Sequence, residues 1–308
     1  APQPRFCTIG SMDDYDTDTR QPIEPPFVGR RDLYARLQLH IFDPPERRAA
    51  FVLGGRGMGK SALLWHLDRV YDESVIGVYF ALDLTEQDEG VWLTRLMERT
   101  NATLTQKRFN ITRLVAQPPT PTDGSDPLNL REWLRNHYLE DALRLIRPHR
   151  HLVWLFDDAE YLLDHLPQDH LVYLQRLLQQ HPRLTIIMTL QNKLEHRLEE
   201  FAPLTNSVRV ERLTPLTEPE NTDLVRQFAP GADDALVAAA YRLTGGHPLI
   251  AQTFGDYLQE QWQSGTPVPA QEAHREARNA TYTTMTPFFS ETWQTLNRNE
   301  RHCTYGNQ

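Results

Sequence analysis

Five short apolar runs punctuate the first two thirds of the chain: Ala49–Leu53, Val75–Leu82, Leu152–Phe156, Leu184–Met188 and the weaker Ser207–Val210. Segments with apolar residues three or four positions apart separate most of them, at 61–71, 90–100, 130–147 and 167–180. A further segment of this kind, with Leu33, Leu37 and Ile41 on one face, precedes the first run and stops at Pro44 and Pro45. Apolar runs alternating with helical spacing predict crossover units, hence a parallel sheet covered by helices on both faces. "LVWLF" and "LTIIM" are almost continuously apolar, as central strands of such a sheet must be.

Beyond residue 212 the strand pattern stops. "TEPENTDLVRQFA", "ADDALVAAAYRLTG" and "HPLIAQTFGDYLQEQW" each read as a helix, with Gly245 and Gly246 breaking the last two apart. The expected division is a flexible arm over 1–26, an α/β unit over 27–213, a small helical unit over 214–268, and a linker or the start of another module over 269–308. The arm holds five prolines and five acidic residues and few large apolar groups. "QPPTPTDGSDP", residues 117–127, reads as a surface loop. No internal repeat at a fixed period is visible.

Composition narrows the field. Of 308 residues, 40% are hydrophobic and 24% charged, the balance of a globular chain. No run approaches the ~18 apolar residues that span a bilayer, and no basic region followed by an apolar stretch is visible at the amino terminus. Cys7 and Cys303 are the only cysteines, too few for a disulfide framework or a cysteine-based zinc cluster, which fits a reducing cytoplasm. A net charge of −9 disfavours a nucleic-acid backbone as the main partner.

One stretch carries chemistry. "FVLGGRGMGKSALLWHL", residues 51–67, leads from an apolar run through Gly54, Gly55, Arg56, Gly57, Met58 and Gly59 to Lys60, Ser61 and Ala62. The spacing is that of a phosphate loop. Glycines let successive backbone N–H groups turn inward around a polyphosphate, and the following helix adds its positive end. Lys60 is placed to neutralise β- and γ-phosphate charge, and the Ser61 hydroxyl to ligate Mg²⁺.

Such a loop calls for a carboxylate at the end of a neighbouring strand. "HLVWLFDDAEYLL" supplies Asp157 for the metal side and Asp158 to orient or deprotonate an attacking water. A pair of helix-capping aspartates is the structural alternative.

With both motifs placed, the chain resembles the AAA+-related STAND class of P-loop ATPases over about residues 25–265. The resemblance rests on "FVGRRDLYARL", "GGRGMGKS", "LVWLFDDAE", "LTIIMTLQN" and "TGGHPLIAQ". It implies a sheet of order 5-1-4-3-2 with a helical lid, and an ATP/ADP site with Mg²⁺. It also implies that Phe27, Val28 and Arg30 lie over the adenine, that Pro248 packs near the base or ribose beside His247, and that Thr189 or Gln191 senses the γ-phosphate.

Two departures lean towards a slow switch. The acidic strand carries Asp-Asp where fast AAA+ enzymes have Asp-Glu, and the arginine that many STAND members place after the fourth strand is missing, leaving Arg197, Arg242 or a neighbouring subunit for its task. The expected activity is therefore an ATP-binding switch with weak hydrolysis, self-associating and coupled to effector or sensor modules or partner proteins. The alternatives are an AAA+ ATPase acting on DNA-bound machinery and a non-hydrolysing nucleotide-bound scaffold. ATP is preferred to GTP because no Asn-Lys-x-Asp run follows the acidic strand. The tail "TPFFSETWQTLNRNERHCTYGNQ" resembles the first helix of a winged-helix domain and stops short of completing one, so the expectation is either a natural short form or part of a longer protein, the second fitting the missing initiator Met.

Overall fold

The computed structural model describes residues 27–42, 49–70, 74–82, 88–114, 127–166, 169–205, 208–231, 233–263 and 270–295. The expected arm at 1–26, nearly all of the 117–127 loop and the last thirteen residues, 296–308, lie outside them.

Five strands form one sheet: β1 (Ala49–Gly54), β2 (Val75–Ala81), β3 (His151–Asp157), β4 (Leu184–Gln191) and β5 (Val208–Arg212). Their order is β2-β3-β4-β1-β5 and every pairing is parallel, which read from the other edge is the expected 5-1-4-3-2. All six residues of β1 are buried, because helices cover both of its faces. Alternate side chains feed opposite layers, as the pleat requires. Phe51 and Leu53 join Trp154, Phe156 and Met188 on one side, and Ala50 and Val52 join Val153, Leu155 and Ile187 on the other.

Helices α1 (Arg31–Phe42) and α2 (Lys60–Val70) cover the second face through Leu33, Leu37, Leu63 and Leu67. The first face carries α3 (Glu89–Gln106), α4 (Pro127–Trp133), α5 (Leu139–Leu145) and α7 (Asp169–Gln180), and the short α6 (Glu160–His165) follows β3 directly. On α7, Leu171, Leu174, Leu177 and Leu178 repeat at the spacing that puts them on one buried face.

Two expectations shift. The helix anticipated over 130–147 is α4 and α5 joined by a π-helical turn at Leu134–Tyr138, whose Leu134 and Tyr138 are both buried. A π turn keeps its backbone hydrogen-bonded, so neither glycine nor proline marks it in sequence. The fifth strand, described from Val208, ends two residues later than its apolar run, whose first residue, Ser207, lies outside the described residues. Along this edge exposed Arg209 and Arg212 flank Val210, and buried Glu211 pairs with Arg36 at 2.5 Å.

A short α8 (Ala202–Thr205) precedes β5, and four helices follow it: α9 (Glu218–Phe228), α10 (Asp234–Thr244), α11 (Pro248–Gln263) and α12 (Ala270–Thr295). They share a separate core of Leu224, Val225, Val237, Ala240, Phe254, Leu258 and Ala277. Gly245 caps α10 in the left-handed region at φ 58°, a conformation that favours glycine. The segment between β5 and α9 is tied both ways. Leu213 N–H donates to Leu53 O at 2.8 Å and Leu216 N–H to Gly246 O at 2.8 Å. Helix α12 begins well before the expected tail helix and continues through Pro287. Among the described residues no helix is long and apolar enough to cross a membrane.

Candidate functional site

The glycine-rich loop spans the gap between the end of β1 and the first residue of α2, Lys60. Gly57 and Gly59 sit at φ 73° and 86°, where a side chain would be strained. Their surroundings differ. A Cβ on Gly57 would lie 2.8 Å from His247 and 2.9 Å from Leu249, whereas one on Gly59 would meet nothing within 4 Å. The loop therefore packs against α11 on one side and opens onto free space on the other. Lys60 Nζ donates to Gly54 O at 3.2 Å and Gly55 O at 3.4 Å. Met58 N–H closes a turn on Gly55 O at 3.3 Å, Ser61 is exposed and Ala62 half-buried.

Asp157, the last residue of β3, is buried and held by two hydroxyls. Tyr79 on β2 donates to Oδ2 at 2.8 Å and Thr189 on β4 donates to Oδ1. Thr189 also accepts from Asp158 N–H at 3.0 Å, so its hydroxyl ties β4 to the acidic strand end. Gln191, the other candidate at the end of β4, is half-buried and pairs in register with Gly54, beside the loop. Burial pushes the Tyr79 hydroxyl above its ordinary range, and Asp157 adds to it, so Tyr79 stays a donor.

Asp158 stands at φ 54°, an uncommon conformation for a residue with a side chain, and is exposed. It does not act as a helix cap: α6 starts after Ala159 with no side-chain capping bond. Loss of surrounding water raises the Asp158 carboxyl, Asp157 raises it further, and Lys60 opposes both. Burial raises the carboxyl of Glu160, the first residue of α6, while its own backbone N–H opposes the rise, and Asp158, Lys60 and Asp157 act on it after these.

Phe27 stacks on His66 of α2 at 4.8 Å and meets Tyr34 edge-on at 5.7 Å. An open depression of about 490 Å³ lies between Phe27, Val28 and Gly29 and the Thr222, Asp223 and Arg226 side of α9. Arg30 points elsewhere. Its buried guanidinium donates to Thr214 O, and to Met58 O at 3.3 Å, while its own N–H donates to Glu220 at 2.8 Å. Pro248 opens α11 next to His247, whose Nε2 is 3.2 Å from Arg56 O, and Leu249 N–H donates to Gly57 O at 3.2 Å.

Sequence reasoning missed Tyr79, Leu249 and Glu160. Nothing in the pattern distinguishes Tyr79 from a core aromatic, and Leu249 acts through its backbone. Glu160 was visible as an acid three residues after Asp157.

The residues present suit a magnesium-bound polyphosphate. Gly54–Ser61 would hold the phosphates where the space over Gly59 is open, and Ser61 and Asp157 would supply oxygen ligands of the kind Mg²⁺ prefers. A parallel sheet in this order, with a phosphate loop between β1 and α2 and a carboxylate closing β3, defines a P-loop NTPase. The chain belongs to the AAA ATPase domain family, whose model matches residues 26–187, more than half of it.

Solved structures agree on the fold. The Walker-type ATPase of Pyrococcus abyssi is similar at a TM-score of 0.62 and 17% identity, covering 90% of this chain and 79% of its own. Cdc6p from Pyrobaculum aerophilum follows at 0.51 and 16%, covering 80% and 65%. A STAND protein with a tetratricopeptide repeat sensor from Pyrococcus horikoshii, at 0.43 and 17%, covers 80% of this chain, which spans 35% of it, and this likeness adds nothing to the fold assignment. No curated protein matches the sequence.

Proposed function

We propose that the chain is an ATP-binding regulatory switch of the STAND type, with slow magnesium-dependent hydrolysis. In this reading residues 27–213 bind the nucleotide and 214–268 act as a lid over it. One observation carries it: His247 and Leu249, at the start of α11, hold the outer carbonyls of Arg56 and Gly57, two consecutive residues of the loop. The inner amides of that loop would take the phosphates. Any adjustment of the loop to a γ-phosphate is then passed to α11 through two hydrogen bonds, and a ligand shifts an equilibrium only through such differential contacts.

Roles follow from position. Lys60 leaves the Gly54 and Gly55 carbonyls for the β- and γ-phosphates, Ser61 and Asp157 hold the metal, and Tyr79 and Thr189 fix the Asp157 carboxylate. Bound Mg²⁺ and Lys60 would stabilise charge on the transferring phosphoryl oxygens. Gln191 is the better placed γ-phosphate sensor of the two candidates. Phe27 and Val28 border the base, while Arg30 joins loop, connecting segment and α9.

Phosphate release by the wild type and by Lys60→Ala, with gel filtration in a non-hydrolysable ATP analogue, tests the reading. Release that is lost in the variant, and an apparent size that changes with the analogue, support the switch. Tightly co-purified ADP with neither effect would make the protein a nucleotide-bound scaffold instead.

A further inference from the structure

Resting on the nucleotide reading above, we propose that Glu160, rather than Asp158, is the carboxylate that accepts the proton of the attacking water. Glu160 is the first residue of α6, three positions beyond Asp157. Its Oε2 is buried and has no hydrogen-bond partner. An acid that served only to complement the positive end of α6 would keep its carboxylate in water, since exposed charge–dipole contacts do not require burial. Leaving a carboxylate oxygen dry and unpaired is unfavourable unless a donor arrives from outside the protein. The Glu160 carboxyl feels burial first and its own backbone N–H second, and the charged groups that act on it after these are Asp158, Lys60 and Asp157, all belonging to the phosphate-loop site.

Asp158 is less suited. It is exposed, one methylene shorter, and held at φ 54° with its N–H turned back onto Thr189. The glutamate that the acidic strand lacks at its second acidic position is thus provided two residues later, as the first residue of α6. In the step itself, a water oxygen bonds to the γ-phosphorus as the bond from that phosphorus to the bridging oxygen breaks. ADP leaves with the electron pair, and Glu160 takes the water proton and returns it to solvent or to the phosphate product.

The test uses Glu160→Gln, which keeps size and helix position, beside Asp158→Asn. For each, calorimetry gives the affinity for ADP and for a non-hydrolysable ATP analogue with magnesium, and single-turnover assays give the hydrolysis rate. Glu160→Gln should bind both nucleotides at least as tightly as the wild type and lose about 10²- to 10⁴-fold in rate. Asp158→Asn should lose rate too, but at least tenfold less than Glu160→Gln. Formate should partly restore hydrolysis to Glu160→Ala and not to Glu160→Gln, an effect a purely structural role would not produce. Full activity in Glu160→Gln, its loss only in Asp158→Asn, or nucleotide affinity falling in step with rate would each overturn the assignment. A wild type that binds but never hydrolyses would overturn it too, leaving the binding reading intact. A folded wild type that binds no nucleotide would sink both.

Discussion

Replacing His247 by alanine should loosen the seam between the phosphate loop and α11. The side chain makes two contacts there: the Nε2 bond to Arg56 O at 3.2 Å and an edge-on contact with Phe288 of α12 at 5.6 Å. Burial lowers the imidazole's affinity for a proton, so the ring is neutral at pH 7 and Nε2 must be the hydrogen-bearing nitrogen that donates to the carbonyl. A neutral hydrogen bond contributes about 1 kcal/mol. An aromatic contact of this geometry adds about another 1 kcal/mol. Arg56 is exposed, so water can reach its carbonyl and no buried acceptor is orphaned. Of the two contacts only the first is broken when the loop parts from α11, since Phe288 lies on α12, so the opening equilibrium of the seam shifts by about 1 kcal/mol, about fivefold. Hydrogen exchange on the nucleotide-free protein reads this directly. Amides of 54–60 and 248–255 should exchange about fivefold faster, together, with β3 and β4 unchanged. If α11 speeds up and the loop does not, the two are not coupled through these contacts and the reasoning fails.

Further outcomes follow from packing and charge. A Cβ on Gly246 would lie 2.1 Å from Leu216 O, so Gly246→Ala should cost about 3 kcal/mol, whereas Gly245→Ala, at positive φ with open space around it, should cost about 1 kcal/mol; thermal unfolding separates them. Arg131 grips Glu89 through two 2.7 Å bonds while His170 approaches the same carboxylate at 2.7 Å. Arg131→Met should lose about 3 kcal/mol in urea titrations, because Glu89 stays buried without its guanidinium. Burial, with Glu260 adding to it, raises Asp256 to about 6. A raised folded-state value favours folding below the unfolded value of about 4 and is lost as pH climbs through 6. Asp256→Asn should thus add about 1 kcal/mol at neutral pH, after allowance for its partial exposure, and nothing in acid.

What the sequence made legible was the part of the fold that local pattern controls. Residues 49–61 combine an apolar strand, a glycine turn and a helix start, and the chemistry of each position follows from the backbone it must adopt. Strands β1 to β4 are apolar on both faces, so their runs stand out. β5 is blurred because Arg209 and Arg212 meet solvent at the sheet edge while Glu211 turns inward to Arg36. The π turn at Leu134–Tyr138 leaves no compositional mark. The seam between Arg56, Gly57 and α11 joins residues about 190 positions apart, partly through backbone atoms that no side chain announces. Thr189 was singled out as a sensor for its place at the end of β4, but only coordinates place its hydroxyl between Asp157 and Asp158. Glu160 resembled an ordinary first-turn acid, and its dry Oε2 is a tertiary property.

The most direct measurement is calorimetric titration of magnesium ATP into folded wild type and into Lys60→Ala. Saturable uptake by the wild type, abolished or greatly weakened in the variant, is the result expected of a loop that grips phosphates through its amides and Lys60. Equal uptake by both, or none by either, would contradict it.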